Sequence, residues 1–382
     1  MPTSRRWSTG SSSRAEQGSE PALGFRPFYL LAGAYAAIAV PLWSAQFAGW
    51  LLGANMLWHA HEMLFGYAFG VIAGFLLTAV RAWTGRPTPT GGALAALAAL
   101  WILARLLAPF SLAASSVVDL LFAAGVAVGI GWPILASRNR NWYFIVLVLA
   151  LGAASVAFQA WPATGLRVGL DVVLFVMALM GGRVIPSFTN NAVHGAGARR
   201  VPALETAALG SLLLLLLFDL LHLESTAASV CLVAAGLHAA RVALWAPLAT
   251  RGRPILWILH LSYAWIVVHL LLRGLGGFDV VPAGLATHAL TVGAIGGLTL
   301  GMMTRTSRGH TARPLTAGGW ETAAYLLVQA AAVARVFAPL LLPGAYAGLV
   351  VLSAALWFAA FAIFTAVYTP ILARPRLDGQ PG

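Results

Sequence analysis

A bilayer core is crossed by about 20 consecutive apolar residues in a helix, and windows of that length recur throughout this chain. They fall at roughly 27–49, 58–80, 92–109, 114–136, 141–161, 168–186, 202–222, 226–247, 254–273, 282–304, 319–340 and 345–370. In hydrocarbon every backbone N–H and C=O must be satisfied within the segment, which leaves helices as the way to thread so many spans. The composition agrees: 60% of the 382 residues are hydrophobic and 9% are charged, where a soluble domain carries roughly 25% charged residues. The expected fold class is an all-α integral membrane protein, a bundle of about 12 transmembrane helices. Its single polytopic domain spans 24–370, between a disordered tail at 1–23 and a short C-terminal tail at 371–382. The windows at 92–109 and 168–186 are the weakest of the twelve. The apolar run after Arg26 is too long for a signal-peptide core, and no small-residue cleavage site follows it.

The formal net charge is +12, and every basic side chain is arginine. These arginines mark topology. Alternate loops carry Arg81 and Arg86, Arg138 and Arg140, Arg199 and Arg200, Arg251 and Arg253, then Arg305, Arg308 and Arg313, while the opposite loops hold only Arg167 and Arg273. Arg5, Arg6, Arg14, Arg374 and Arg376 place the terminal segments with the first set. The positive-inside rule then puts both termini in the cytoplasm. No nucleic-acid-reading motif accompanies the charge, so nucleic acid is not an expected partner; the lipid bilayer is. The one cysteine, Cys231, lies in an apolar window, which excludes an internal disulfide and cysteine-rich zinc or iron–sulfur sites.

The histidines carry the chemistry. An imidazole in hydrocarbon needs a partner, and transition metals are partners it serves well. Trp58-His59-Ala60-His61-Glu62 opens the second window. His59, Met63, Gly66, Gly70 and Gly74 recur at three or four residues and share one face of a regular helix. Gly66 and Gly70 then offer a slot for a flat group, or a packing surface of the small-xxx-small kind. His61 lies about 200° around that helix from His59, so the two address different partners. His288 sits about 10 Å inside the tenth window, level with the His59/His61 group. His260 and His238, counted from opposite ends, reach similar depths and suit a second layer. His310 follows in the loop Gly309-His310-Thr311. The candidate metal ligands are therefore His59, His61, His238, His260, His288 and His310, and the candidate cofactor residues are His59, His61, His260, His288, Gly66, Gly70 and Arg183. Arg183 either snorkels to the interface or pairs with an anion such as a haem propionate. Arg105, Arg335, Asp119, Asp171 and Asp219 also fall inside apolar windows, where mutual ion pairing accounts for most of them.

Trp58-His59-Ala60-His61-Glu62-Met63-Leu64-Phe65-Gly66, continuing through Gly74-Phe75-Leu76-Leu77-Thr78-Ala79 and Trp83-Thr84-Gly85, resembles the signature of NnrS-type membrane proteins. Gly181-Gly182-Arg183-Val184-Ile185-Pro186-Ser187-Phe188-Thr189 resembles that family's second motif. Leu256-Trp257-Ile258-Leu259-His260, His288-Ala289-Leu290-Thr291-Val292-Gly293-Ala294-Ile295-Gly296, and Met303-Thr304-Arg305 with Gly309-His310-Thr311 also fit. The resemblance implies a multi-pass protein of the bacterial inner membrane carrying haem b and copper, with nitric oxide or nitrosyl species as its partners in relief of nitrosative stress. Two other functions compete. A respiratory haem–copper oxidase or nitric oxide reductase would carry an adjacent His-His pair or a His-Pro-Glu arrangement, and neither is present. A secondary transporter would use broken helices, for which Pro41, Pro133 and Pro186 are the candidate breaks. The topology is testable: reporter fusions after Arg200 should read as cytoplasmic and fusions after Trp161 as periplasmic, and the reverse pattern would invert the bundle.

Overall fold

The structure, a computed structural model, describes residues 23–379 except Leu52 and Ala54. The tail expected at 1–23 therefore lies almost wholly outside the described residues, as do the last three positions of the C-terminal tail. Each expected window is a helix. Eleven are long and apolar enough to cross a membrane: α1 (Phe25–Phe47), α2 (Met56–Thr84), α4 (Leu112–Ala136), α5 (Arg140–Ala160), α6 (Pro162–Ala192), α7 (Pro202–Leu220), α8 (Glu224–Leu244), α9 (Pro254–Gly276), α10 (Ala283–His310), α11 (Gly319–Leu341) and α12 (Pro343–Ala373). The twelfth, α3 (Gly91–Leu107), has 17 residues. The uncertain window at 168–186 lies inside the 31-residue α6.

Local sequence sets these boundaries. Proline occupies the first helical position of α6, α7 and α9, where its fixed φ suits the first turn and its missing N–H has no partner to lose. The Asn55 side chain caps α2 by accepting from the Trp58 N–H at 2.9 Å. Gly85 ends α2 in the left-handed region, at φ +65°. Pro41, Pro133 and Pro186 do not break anything: each lies inside a continuous helix. The departures from α-helical geometry are elsewhere, in wide π-helical turns at Glu62–Ala68 of α2 and Ala289–Gly296 of α10. Each begins directly after a candidate histidine.

Four helices form the interior. Over the 18-residue apolar stretch of each span, 83% of α2 is buried and 67% of α6, α9 and α10, against 33–50% in the other seven long spans. The resemblance motifs lie on these four. The remaining helices pack around them, α12 bridging α1 and α11, and α5 bridging α4 and α6. The Arg26 guanidinium donates to the Leu372 and Arg374 carbonyls, at 2.8 and 2.6 Å, so the start of α1 and the end of α12 meet at one face of the bundle.

Most buried charges neutralise one another, as the sequence leads one to expect. Arg105 (α3) lies 2.5 Å from Asp119 (α4) and 3.1 Å from Glu62 (α2). Arg273 (α9) pairs with Asp171 of α6 at 2.6 Å and with Asp219 of α7. Arg308 (α10) meets Glu321 (α11) at 2.6 Å. Arg241 (α8) is fully buried and gathers three helices: it donates to Glu205 of α7 at 2.8 Å, to Tyr263 of α9 at 2.5 Å and to the Ala178 carbonyl of α6 at 3.1 Å. Gly182 makes the room, since a Cβ there would lie 2.7 Å from the Glu205 carboxylate and against Arg241 itself. Removing one member of such a pair leaves an uncompensated charge, typically about 3–5 kcal/mol. Glu205→Ala should lose stability on that scale in mixed-micelle SDS titrations. A loss within about 0.5 kcal/mol would show that Arg241 is satisfied without it.

Candidate metal and cofactor site

His59 and His288 line one cavity of about 430 Å³, within the roughly 300–1,000 Å³ range of small-molecule sites. Its walls are mainly apolar and aromatic, with Trp43 from α1, Met63 and Tyr67 from α2, Thr291 from α10 and Trp357 from α12. Met56 and Leu57 also line it and are exposed, so it opens near the start of α2. His288 Nδ1 donates to the Gly284 carbonyl one turn earlier, at 2.7 Å. A carbonyl only accepts, so the proton sits on Nδ1 and Nε2 keeps its lone pair. That fixes the tautomer in the way metal-binding imidazoles are usually fixed. His59 stacks on Trp43, centroids 4.2 Å apart and planes 22° apart. Its Nδ1 is buried without a hydrogen-bond partner.

The other histidines are placed differently. His61 is fully buried, with Nδ1 2.8 Å from Glu62 and Nε2 at 2.9 and 3.0 Å from the hydroxyls of Ser116 and Ser155. His238 receives the Tyr263 hydroxyl on Nδ1 at 2.7 Å and directs Nε2 to the Ala208 carbonyl at 3.2 Å. Both rings have hydrogen-bond partners at each nitrogen, and neither lines the cavity of His59 and His288. His61 does address a different partner from His59. His260 Nε2 meets Thr189 at 2.8 Å, and its Nδ1 is buried without a partner. The Thr189 hydroxyl donates onward to the Ile185 carbonyl at 2.9 Å, so Nε2 is the donor and Nδ1 holds the lone pair. His310 ends α10 instead of sitting in a loop, and packs against Phe25 at 5.4 Å. Among the described residues no three His, Cys, Asp or Glu side chains gather as a metal site.

The sequence profile of the family described as NnrS protein matches residues 21–376, nearly the whole chain. The chain belongs to the NnrS family. No curated protein matches it. Within this NnrS chain the motif histidines divide in two: His59 and His288 share a cavity, while His61 sits in a closed polar cluster and His260 against Thr189.

Two expected cofactor residues and a third change role. Gly66 and Gly70 do not line the His59 cavity. A Cβ on Gly66 would collide with the Arg105 guanidinium, and one on Gly70 would lie 2.8 Å from Trp101 Nε1. The indole N–H donates to the Gly66 carbonyl, 3.0 Å away, inside the π-helical turn. The cause is that turn: it adds a residue to the helical circuit and rotates the rest of α2 by roughly 100°, so a 3.6-residue projection from His59 misplaces both glycines. Arg183 donates to Asn141 at 2.8 Å and to the Tyr143 hydroxyl at 2.5 Å, far along α6 from the His59 cavity. Two residues were passed over by sequence reasoning. Arg335 lines the cavity; only its place within an apolar window marked it. His269 lines a neighbouring polar cavity of about 390 Å³ with Arg273 and Asp219, its Nε2 buried and unpartnered.

Gly66→Ala tests the glycine assignment. A methyl group there must displace Arg105 from Glu62 and Asp119. Overpacking of this kind costs about 1–3 kcal/mol, so thermal stability should fall clearly. Unchanged stability would return Gly66 to the cavity wall.

Proposed function

We propose that this NnrS-family protein is a bacterial inner-membrane protein that holds haem b and copper and acts in nitric oxide metabolism, relieving nitrosative stress, with both termini in the cytoplasm. The observation that carries the reading is the convergence of two imidazoles on one aromatic-walled cavity, one with its tautomer fixed by a backbone carbonyl. The residues present suit a haem: His59 and His288 are the side chains that would hold it, between walls supplied by Trp43, Tyr67 and Trp357. Haem iron, when bound, would supply the affinity for nitric oxide. The protein's own contribution is to fix the His288 ring, to keep His59 stacked against Trp43 and to exclude water with apolar walls. Nitric oxide is small, uncharged and soluble in hydrocarbon, so a site within the membrane suits it.

Copper fits less well. Its usual sites gather three or more donors, and no such group of His, Cys, Asp or Glu forms among the described residues. Copper therefore receives no residue here and rests on the family alone.

The optical spectrum of the purified protein, with iron and copper analysis on the same sample, tests the proposal. Wild type should show a b-type Soret and α-band. His288→Ala should lose most of that absorbance, while His310→Ala, at the opposite end of α10, should retain it. An unchanged spectrum in His288→Ala would remove that residue from the site, and a colourless wild type would end the haem reading.

A further inference from the structure

Arg335 differs from the other arginines of the spans in what surrounds it: Arg305 is also buried without a carboxylate among the described residues, but it is covered by the Phe188 ring at 4.0 Å and lies outside the cavity. Arg105, Arg241, Arg273 and Arg308 each touch a carboxylate. Arg335, in α11, is 6% exposed and has no acidic partner among the described residues. Its one hydrogen bond goes to the Tyr346 hydroxyl at 3.1 Å, with the guanidinium carbon 5.3 Å from the centre of that ring. Yet it lines the same cavity as His59 and His288. A desolvated guanidinium beside a neutral phenol keeps most of its five donors and all of its charge uncompensated. Burial of a lone charge is expensive unless something answers it.

The cavity therefore has two chemical ends. One is neutral and nucleophilic, formed by His59 and His288. The other is a fixed cation that cannot be deprotonated. A ligand matching both would be largely apolar, would bind the imidazoles through one part, and would carry an anionic group at its rim. We propose that Arg335 is the recognition residue for a carboxylate on the bound group. Resting on the haem reading above, this is a haem propionate, taken as a charge-assisted contact to the guanidinium fork. The inference also orients the group: Arg335 lies in the last turns of α11, towards the face opposite Arg308 and Arg313, so the acid edge points to that face. Tyr346 holds the guanidinium in place.

Comparing two haems on one protein isolates this contact. Apoprotein made in haem-deficient cells is titrated in detergent with haem b and with its dimethyl ester, which keeps the macrocycle and iron but lacks the charged carboxylates. Binding is followed by the Soret band. A hydrogen bond to a charged group is worth about 1.5–3 kcal/mol, so wild type should prefer the free acid by about 10- to 100-fold. Arg335→Gln should lose most of that preference and Arg335→Lys should keep much of it. Equal binding of both haems by wild type overturns the assignment without needing any variant to fold. Full preference retained in Arg335→Gln also overturns it. If wild type binds neither haem, the haem reading itself fails and takes this assignment with it.

Discussion

A polar group inside a bilayer has no water to fall back on, and the architecture of this protein follows from that constraint. It dictates helices for the backbone and partners for the side chains. Glu62, Asp119 and Arg105 tie three helices together; Arg241 with Glu205 and Tyr263, and Arg273 with Asp171 and Asp219, do the same for the second half of the bundle. Apolar surfaces do not by themselves choose partners within lipid, because lipid tails are equally apolar. The ion pairs and the small residues that admit them, such as Gly66 and Gly182, supply that choice.

Once those charges and imidazoles are matched, the residues left over define a place. His59, His288 and Arg335 retain unmet bonding capacity and line one cavity, whereas His260 and His269, each with one unpartnered nitrogen, lie outside it. His61 and His238 show the contrast, since identical side chains inside the same bundle are closed off by hydroxyls and carbonyls. The site is thus marked by incomplete satisfaction more than by residue type. The two π-helical turns belong to the same arrangement. Each starts immediately after a histidine of the motif segments, at Glu62 and at Ala289, and such turns recur at functional sites because they re-aim side chains. In α2 the turn sends Gly66 towards Arg105 while His59, before it, keeps facing the cavity.

Much of this was legible in the chain. Apolar length gave the twelve helices. The level of His288 with His59 followed from rise per residue. That most charges inside the spans would pair followed from the cost of lone charges in hydrocarbon, though which pairs with which did not. The features that escaped the sequence have a common origin. The π-helical turns leave no residue signature here, so any face drawn with a 3.6 period across Glu62–Ala68 is wrong beyond it, and Gly66 and Gly70 were misplaced accordingly. Arg183 invited an anionic partner because its neighbours in space, Asn141 and Tyr143, lie some forty positions away. Arg335 looked like one more paired charge because the absence of a partner is a property of the fold, not of the sequence.

The central claim is spatial: the cavity lined by His59 and His288 is the proposed site of the cofactor iron. Anomalous scattering at the iron edge, from crystals of the haem-loaded protein, locates that atom without reference to activity or to any variant. The account predicts an iron peak within that cavity, beside His59 and His288. Iron beside His260 and Thr189 instead, with the His59 cavity empty of metal, would contradict it.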